Sequence, residues 1–267
     1  MKPLIGILGS DNRQETLFSL FQKEPAFQTV YHPEPKDFSK YSSLILPIPA
    51  VSKDQLICDR SEVRYEPGDL DEAIGAGCLI IGGKCPRSGW VDVCKRDDFS
   101  YYNAVLTAEG AVALIIQETP FGLWKRKCLI TGFGRVAQVL ADRLKGFGCR
   151  ICIAARKAGA RANAESLGYE AIDISELSDR VGDFDIILNT VEAQLFFPSI
   201  LSRFRKNAYF MELASHQAGL RPNDLTENTG FVYRNAPGLP GKISPLSAAE
   251  VYRQTIENVW KESHLIF

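Results

Sequence analysis

The stretch Cys128-Leu129-Ile130-Thr131-Gly132-Phe133-Gly134-Arg135-Val136-Ala137 decides how this chain folds. Its apolar opening reads as a buried strand, and the apolar spacing from Gly134 to Lys145 reads as a helix. The joint between them carries Gly132, Gly134 and Ala137, which fit the pattern G-x-G-x-x-A. Each small residue answers a physical demand. Gly132 permits a tight turn, Gly134 lets backbone amides approach a pyrophosphate, and Ala137 lets helix and strand pack closely. The helix N-terminus, with Arg135 and Val136, then offers free amides and the positive end of its dipole to phosphate. A second apolar strand, Arg150 to Ala154, follows at the spacing of a βαβ unit. The pattern predicts a Rossmann nucleotide-binding domain. The alternative is the same glycine turn in a domain that has lost its ligand.

The end of that second strand selects the cofactor. An NAD site places Asp or Glu there to accept from the ribose 2′-hydroxyl. Here the sequence is Ala154-Ala155-Arg156-Lys157. No carboxylate stands ready to repel a 2′-phosphate, and Arg156 and Lys157 are placed to hold one, so NADP is favoured over NAD. A solvated basic turn is the alternative. Asn189 and Thr190 follow the strand Asp185 to Leu188, where the loop passes the nicotinamide-side ribose; Asn189 either bonds that ribose or caps a turn. Glu212, Ser215 and His216 follow the next strand and belong to the same carboxyl edge, where ligands bind.

Outward from this segment, short apolar runs alternate with helical patterns. Leu4 to Leu8, Ser43 to Leu46 and Cys78 to Ile81 read as strands, and Asn12 to Phe21 as a helix. Ala208 to Leu213 and Phe231 to Tyr233 read as further strands, and Leu246 to Trp260 as a final helix. The rhythm predicts an α/β chain of two Rossmann-like, doubly wound parallel-sheet domains. Residues 1–103 with 246–267 form a substrate-side domain, to which the last helix returns, and residues 104–245 form the dinucleotide domain. Glu109 to Glu118 is apolar on most sides, the mark of a buried helix. It and the final helix are expected at the domain junction. The site is then a cleft, with Gly132 to Ala137 on one wall and Arg13 on the other.

Composition agrees. The 267 residues, at about 150 per domain, suggest between one and two domains. Apolar residues make up 45% and charged residues 24%, in the ordinary globular range. With 31 Lys plus Arg against 32 Asp plus Glu, general nucleic-acid and membrane-surface binding are disfavoured. No run of about 18 apolar residues predicts a membrane span, and the glycine-broken start reads as a strand, not a signal peptide, so a cytoplasmic protein is expected. The 7 cysteines are odd in number. Cys149 and Cys152 form a C-x-x-C, but Cys152 lies in an apolar run and the pair reads as buried small hydrophobes. Cys58, Cys78, Cys85 and Cys94 lack the paired spacing of a zinc site, and no metal is expected.

Three other segments carry chemistry. Gly9-Ser10-Asp11-Asn12-Arg13 is a strand-to-helix corner in which Asp11 suits an N-cap and Arg13 points either into a cleft or to solvent. Lys95-Arg96-Asp97-Asp98 is by default a solvated charge run. Pro237 to Pro245 turns tightly and offers backbone amides and the amine of Lys242, or serves only as a crossover.

These segments bring the chain close to a known family. Gly9-Ser10-Asp11-Asn12-Arg13-Gln14, Arg96-Asp97-Asp98 with Tyr102-Asn103, and Thr107 to Gly110 resemble the A subunit of dipicolinate synthase. So do Gly132 to Arg135, Asn189-Thr190, Leu213 to Ser215 and Ala236 to Lys242, in the same order and nearly end to end. The resemblance implies an NADP-dependent oxidoreductase of sporulation that oxidises dihydrodipicolinate to dipicolinate. It also implies a partner, the flavoprotein-like B subunit of dipicolinate synthase, and a homo-oligomer is expected. The chain departs from the family at His216-Gln217-Ala218-Gly219, where Arg-Pro-Gly-Gly is usual. It departs again at Ser244 to Ala249, where Ala-Pro-Lys-Thr-Ala-Gly is usual.

A cyclic dicarboxylate needs cations or amides at two separated points, and Arg13, Arg96 and Lys242 are the candidates. Asp11, Glu109 and Ser215 complete the substrate-binding set. His216 is the natural general base by its ordinary pKa. The family's arginine there makes carboxylate binding an equal alternative, and Asp97, Asp98 and Glu109 are other bases. Lys242 is placed with His216 in the catalytic group. Other readings are a 2-hydroxyacid, shikimate or alanine type of NADP dehydrogenase, and a non-catalytic protein that only binds the nucleotide.

Overall fold

The computed structural model describes residues 2–52, 55–56, 65–85, 87–214, 219–220 and 230–264. The chain divides into two compact units, Met1–Asn103 with Pro240–Phe267, and Ala104–Leu239.

The first unit carries β1 (Leu4–Ile7), β2 (Gln28–Tyr31), β3 (Ser43–Ile45), β4 (Val51–Ser52), β5 (Gln55–Leu56), β6 (Leu79–Gly82) and β7 (Trp90–Asp92). Five of them form a sheet in the order β2-β1-β3-β6-β7, with every neighbour parallel, while β4 and β5 make a small antiparallel pair. Side chains alternate between two buried faces. Ile5, Ile7, Ile45 and Ile81 meet one layer; Leu8, Leu44, Leu46 and Ile80 meet the other. A sheet covered on both faces demands such unbroken apolar runs.

Asp11 caps the helix Asn12–Gln22 by accepting from the Gln14 amide at 2.9 Å. That helix buries Leu17 and Phe21 against the sheet, and the last helix, Pro245–Glu262, packs beside it through Ala249, Tyr252, Ile256 and Val259. Their three- and four-residue spacing makes one apolar stripe, each large member contributing about 1.5–3 kcal/mol on burial. The last helix therefore belongs to the first unit, as expected. Residues 240–245 go with it: Gly241 lies against Arg13, so the unit boundary falls at Pro240 instead of residue 246.

The second unit carries β8 (Lys127–Thr131), β9 (Arg150–Ala154), β10 (Glu170–Ile172), β11 (Ile186–Asn189), β12 (Tyr209–Glu212) and β13 (Val232–Asn235). The order is β10-β9-β8-β11-β12-β13, all parallel. This is the doubly wound arrangement with its strand order reversing between β8 and β11, the switch point at which such sheets bind ligands.

The helix expected from Glu109 begins twelve residues earlier and runs Asp97–Glu118, 22 residues in all. Asp97 and Asp98 suit the positive end of its dipole. Phe99 is anchored in the first unit's core, while Ala108, Ala111, Val112 and Ile115 are anchored in the second's. By length and composition alone it is the one described helix apolar enough to cross a membrane. Within the fold, 44% of its most apolar window is buried. Cys128, Cys149 and Cys152 are buried and free, and burial pushes the Cys152 thiol up to about 12.

Candidate nucleotide site

The turn after β8 is built by two glycines with different tasks. Gly132 sits at φ +80, and its amide donates to the Ala154 carbonyl at 2.8 Å. A Cβ there would lie 2.8 Å from Val191 Cγ2 and 3.1 Å from Thr190 Oγ1, so both conformation and space demand glycine. Gly134 is extended and is the N-cap of the helix Arg135–Gly146, with no side-chain cap. Nothing lies within 4 Å of where its Cβ would be. Its side is open, as close approach by a phosphate requires. Ala137 is fully buried where the helix meets the sheet.

A cavity of about 480 Å³ opens at this turn, lined by Gly132, Gly134, Ala155, Arg156, Lys157 and Val191 among others. Its size is that of a small-molecule site. Uncapped helix amides, an open glycine and two cations are the donor set that a dinucleotide's phosphates need, so the residues present fit such a cofactor. Arg156 and Lys157 are exposed, and neither is ion-paired among the described residues. Arg135 is exposed and Val136 half-buried at the first helical turn.

Asn189 takes the turn-capping role. Its Oδ1 accepts from the Thr131 hydroxyl and from the Val191 amide, while its Nδ2 donates to the Val191 carbonyl at 3.0 Å. Nδ2 also donates to Glu212 Oε1 at 2.7 Å. Thr190 Oγ1 donates to the Thr131 carbonyl at 2.7 Å. Asn189 is fully buried, which leaves no face for a ribose and sets aside the sugar-bonding alternative. Glu212, 1% exposed, also accepts from the Ala214 amide at 3.0 Å. Burial pushes its carboxyl up to about 7, against the pull of Asn189 and the Ala214 and Gly219 amides. Among the described residues no hydrogen bond of normal geometry reaches Oε2.

In the first unit, Arg13 is the notable side chain. The corner before its helix turns at Gly9, φ +95, and is held by Gln14 Nε2 donating to the Leu8 carbonyl at 2.8 Å. Arg13 is 5% exposed, and its Nε and Nη1 have no hydrogen-bond partner among the described residues. Burial lowers its pKa, partly offset by Asp11. A Cβ on Gly241 would stand 3.4 Å from Nη2. A buried guanidinium with two idle donors is costly to keep. Lys242, beside Gly241, is exposed.

Arg96 is not free to hold a substrate. It bonds Asp98 through Nε at 3.0 Å and Nη2 at 2.9 Å, and Glu262 through Nη1 at 2.6 Å. Asn258 also donates to Asp98. The segment is thus a clamp between the start of the long helix and the end of the last one, and Arg96 is withdrawn from the substrate set. Glu109 is exposed on the long helix, and Asp11 is occupied as a cap. Ser215 and His216 lie outside the described residues.

The second unit's sheet order, glycine turn and cavity define a Rossmann-type dinucleotide-binding protein, and the first unit adds a second parallel α/β sheet in the manner of two-domain dehydrogenases. Within that class the chain is similar to the A subunit of dipicolinate synthase. It is 26% identical to the Bacillus subtilis (strain 168) protein over 238 residues, covering 84% of this chain and 80% of that one. The crystal structure of the Bacillus subtilis dipicolinate synthase A chain superposes with TM-score 0.84 at 23% identity, covering 98% of this chain and 97% of that one. L-alanine dehydrogenase shares the fold at TM-score 0.64 and 15% identity, covering 98% of this chain and 90% of that one. No family model matches.

Proposed function

We propose that this chain is an NADP-dependent oxidoreductase that oxidises dihydrodipicolinate to dipicolinate during spore formation. It works in the mother-cell cytoplasm as a homo-oligomer, together with a flavoprotein-like B subunit. The observation that carries the cofactor half is the pair Arg156 and Lys157 lining the cavity where an NAD site would hold a carboxylate. The substrate half is supported by Arg13, whose idle buried donors suit a carboxylate. The likeness to a protein named for dipicolinate synthesis supports the substrate half.

NADP, when bound, supplies the hydride acceptor. The chain's own residues then have three tasks. The uncapped helix start and Gly134 hold the pyrophosphate, and Arg156 with Lys157 holds the 2′-phosphate. Arg13 and Lys242 orient the dicarboxylate, so that the ring carbon losing hydride is aligned. One ring proton must also leave. Sequence gives His216 as its acceptor or as a second carboxylate grip. Aromatisation favours the oxidation, so alignment and one proton transfer suffice.

The test is spectrophotometric. Freshly made dihydrodipicolinate with NADP should give NADPH absorbance, measured with and without the B subunit. No NADPH under either condition, with the folded chain binding NADP normally, would leave a non-catalytic nucleotide binder as the better reading.

A further inference from the structure

The carboxylate missing from the end of β9 has a neighbour that sequence spacing does not reveal. In the sheet, Ile172 at the end of β10 pairs with Ala154 at the end of β9, and the Ala155 amide donates to the Ile172 carbonyl at 3.1 Å. Asp173, the next residue, therefore stands beside the basic turn, and Ile174 after it lines the same cavity. A free carboxylate at this place would oppose a 2′-phosphate as an acid at the end of β9 does.

It is not free. Arg161, on the helix Ala158–Ser166, reaches back under the turn. Its Nη1 lies 2.6 Å from Asp173 Oδ2, 2.8 Å from the Ala155 carbonyl and 3.0 Å from the Arg156 carbonyl. The other carboxylate oxygen, Oδ1, accepts from the Ser175 amide at 3.0 Å and its hydroxyl at 2.9 Å. Arg161 is about one-quarter exposed and Asp173 rather more, so the pair is partly open to solvent and is held chiefly by its hydrogen-bond geometry.

We infer that Arg161 is a specificity-determining positioning residue: fixed by two carbonyls of the basic turn, it cancels Asp173 and so lets the site take a nucleotide bearing a 2′-phosphate. Arg156 and Lys157 would meet that phosphate; Arg161 acts through Asp173. The inference rests on the NADP reading above.

The test compares NADPH and NADH affinities of the full chain by calorimetry. Wild type should favour NADPH. Arg161→Leu should weaken NADPH at least about tenfold while NADH shifts by less than about threefold, because only one nucleotide carries the opposed charge. Adding Asp173→Asn to that variant should return NADPH to within about threefold of wild type. A structural defect alone would weaken both nucleotides and would not be rescued. Arg161→Gln removes the charge and leaves a polar side chain; it serves if the leucine variant folds poorly, and the same ratio decides. Wild type without NADPH preference overturns the NADP reading and the inference together. Wild-type preference with an unchanged ratio in the Arg161 variants overturns the inference alone. So does failure of Asp173→Asn to restore NADPH binding.

Discussion

Asn189 Nδ2 donates to Glu212 Oε1 across 2.7 Å, joining the ends of β11 and β12 where neither side chain meets water. Thr131 at the end of β8 completes the row by donating to Asn189. One neutral amide thus ties three central strands at the edge where the glycine turn begins. The carboxyl in this row is the one whose charge burial penalises.

That penalty sets a pH dependence. Glu212 is raised from 4.5 to about 7. Between those values the folded chain binds a proton that the unfolded chain has released. Its contribution to stability is therefore full below about 4.5 and is lost as pH rises through about 7, on the order of 3 kcal/mol in all. Glu212→Gln keeps an acceptor for Asn189 and Ala214 but cannot ionise. Urea unfolding at pH 5 and pH 8 should show the wild type losing stability across this range and the variant losing much less. Parallel pH profiles would assign the dependence to another group.

The two glycines of the turn should fail differently. Gly132→Ala forces a side chain into φ +80 and against Val191 and should cost about 1–3 kcal/mol of stability. Gly134→Ala meets nothing in the chain, so its melting temperature should hold. The methyl would stand where phosphate must approach, and dinucleotide affinity should fall at least about tenfold. Thermal melts and calorimetry on the two variants separate the roles. A Gly134→Ala variant that binds normally would move the phosphate away from this turn.

Arg156→Asp installs the acid that an NAD site carries. It should weaken NADPH at least about tenfold, about 1.4 kcal/mol, and leave NADH little changed. Titration of both nucleotides against the variant checks this. Equal loss for both would mean that Arg156 packs the turn and does not read the 2′-phosphate.

Much of this was legible in the chain itself. The apolar runs from Leu4 and Cys128 announce strands buried on both faces, because β-type runs without polar alternation have no solvent side. Gly132, Gly134 and Ala137 announce the turn because each is required by a separate steric condition. Short edge strands were not legible: Gln28–Tyr31 and Glu170–Ile172 are three or four residues long and partly polar, and only pairing with β1 and β9 makes them strands. Arg161 and Asp173 are twelve positions apart and meet only through the β9–β10 register. Arg96 misleads for the complementary reason. Its partner Glu262 lies 166 residues away, so sequence alone presents a free cation.

Arg13 carries the sharpest expectation for the substrate. Its Nε and Nη1 lack partners among the described residues while the side chain is 5% exposed. Keeping idle donors away from water costs stability, so Arg13→Met, similar in length and apolar, should fold at least as stably as wild type. If the donors await a carboxylate, the same variant should raise the Michaelis constant for substrate about 10- to 150-fold, the worth of a charge-assisted bond of roughly 1.5–3 kcal/mol. NADPH affinity should stay unchanged. Pyridine-2,6-dicarboxylate should raise the melting temperature of wild type and not of the variant, because only wild type has donors to satisfy. The combination matters more than any one result. A variant that is stable yet blind to dicarboxylate identifies Arg13 as a binding group kept at the expense of stability, whereas a variant that is merely unstable identifies a structural arginine. Normal substrate kinetics in Arg13→Met would remove Arg13 from the site and leave Lys242 and His216 as the next pair to substitute.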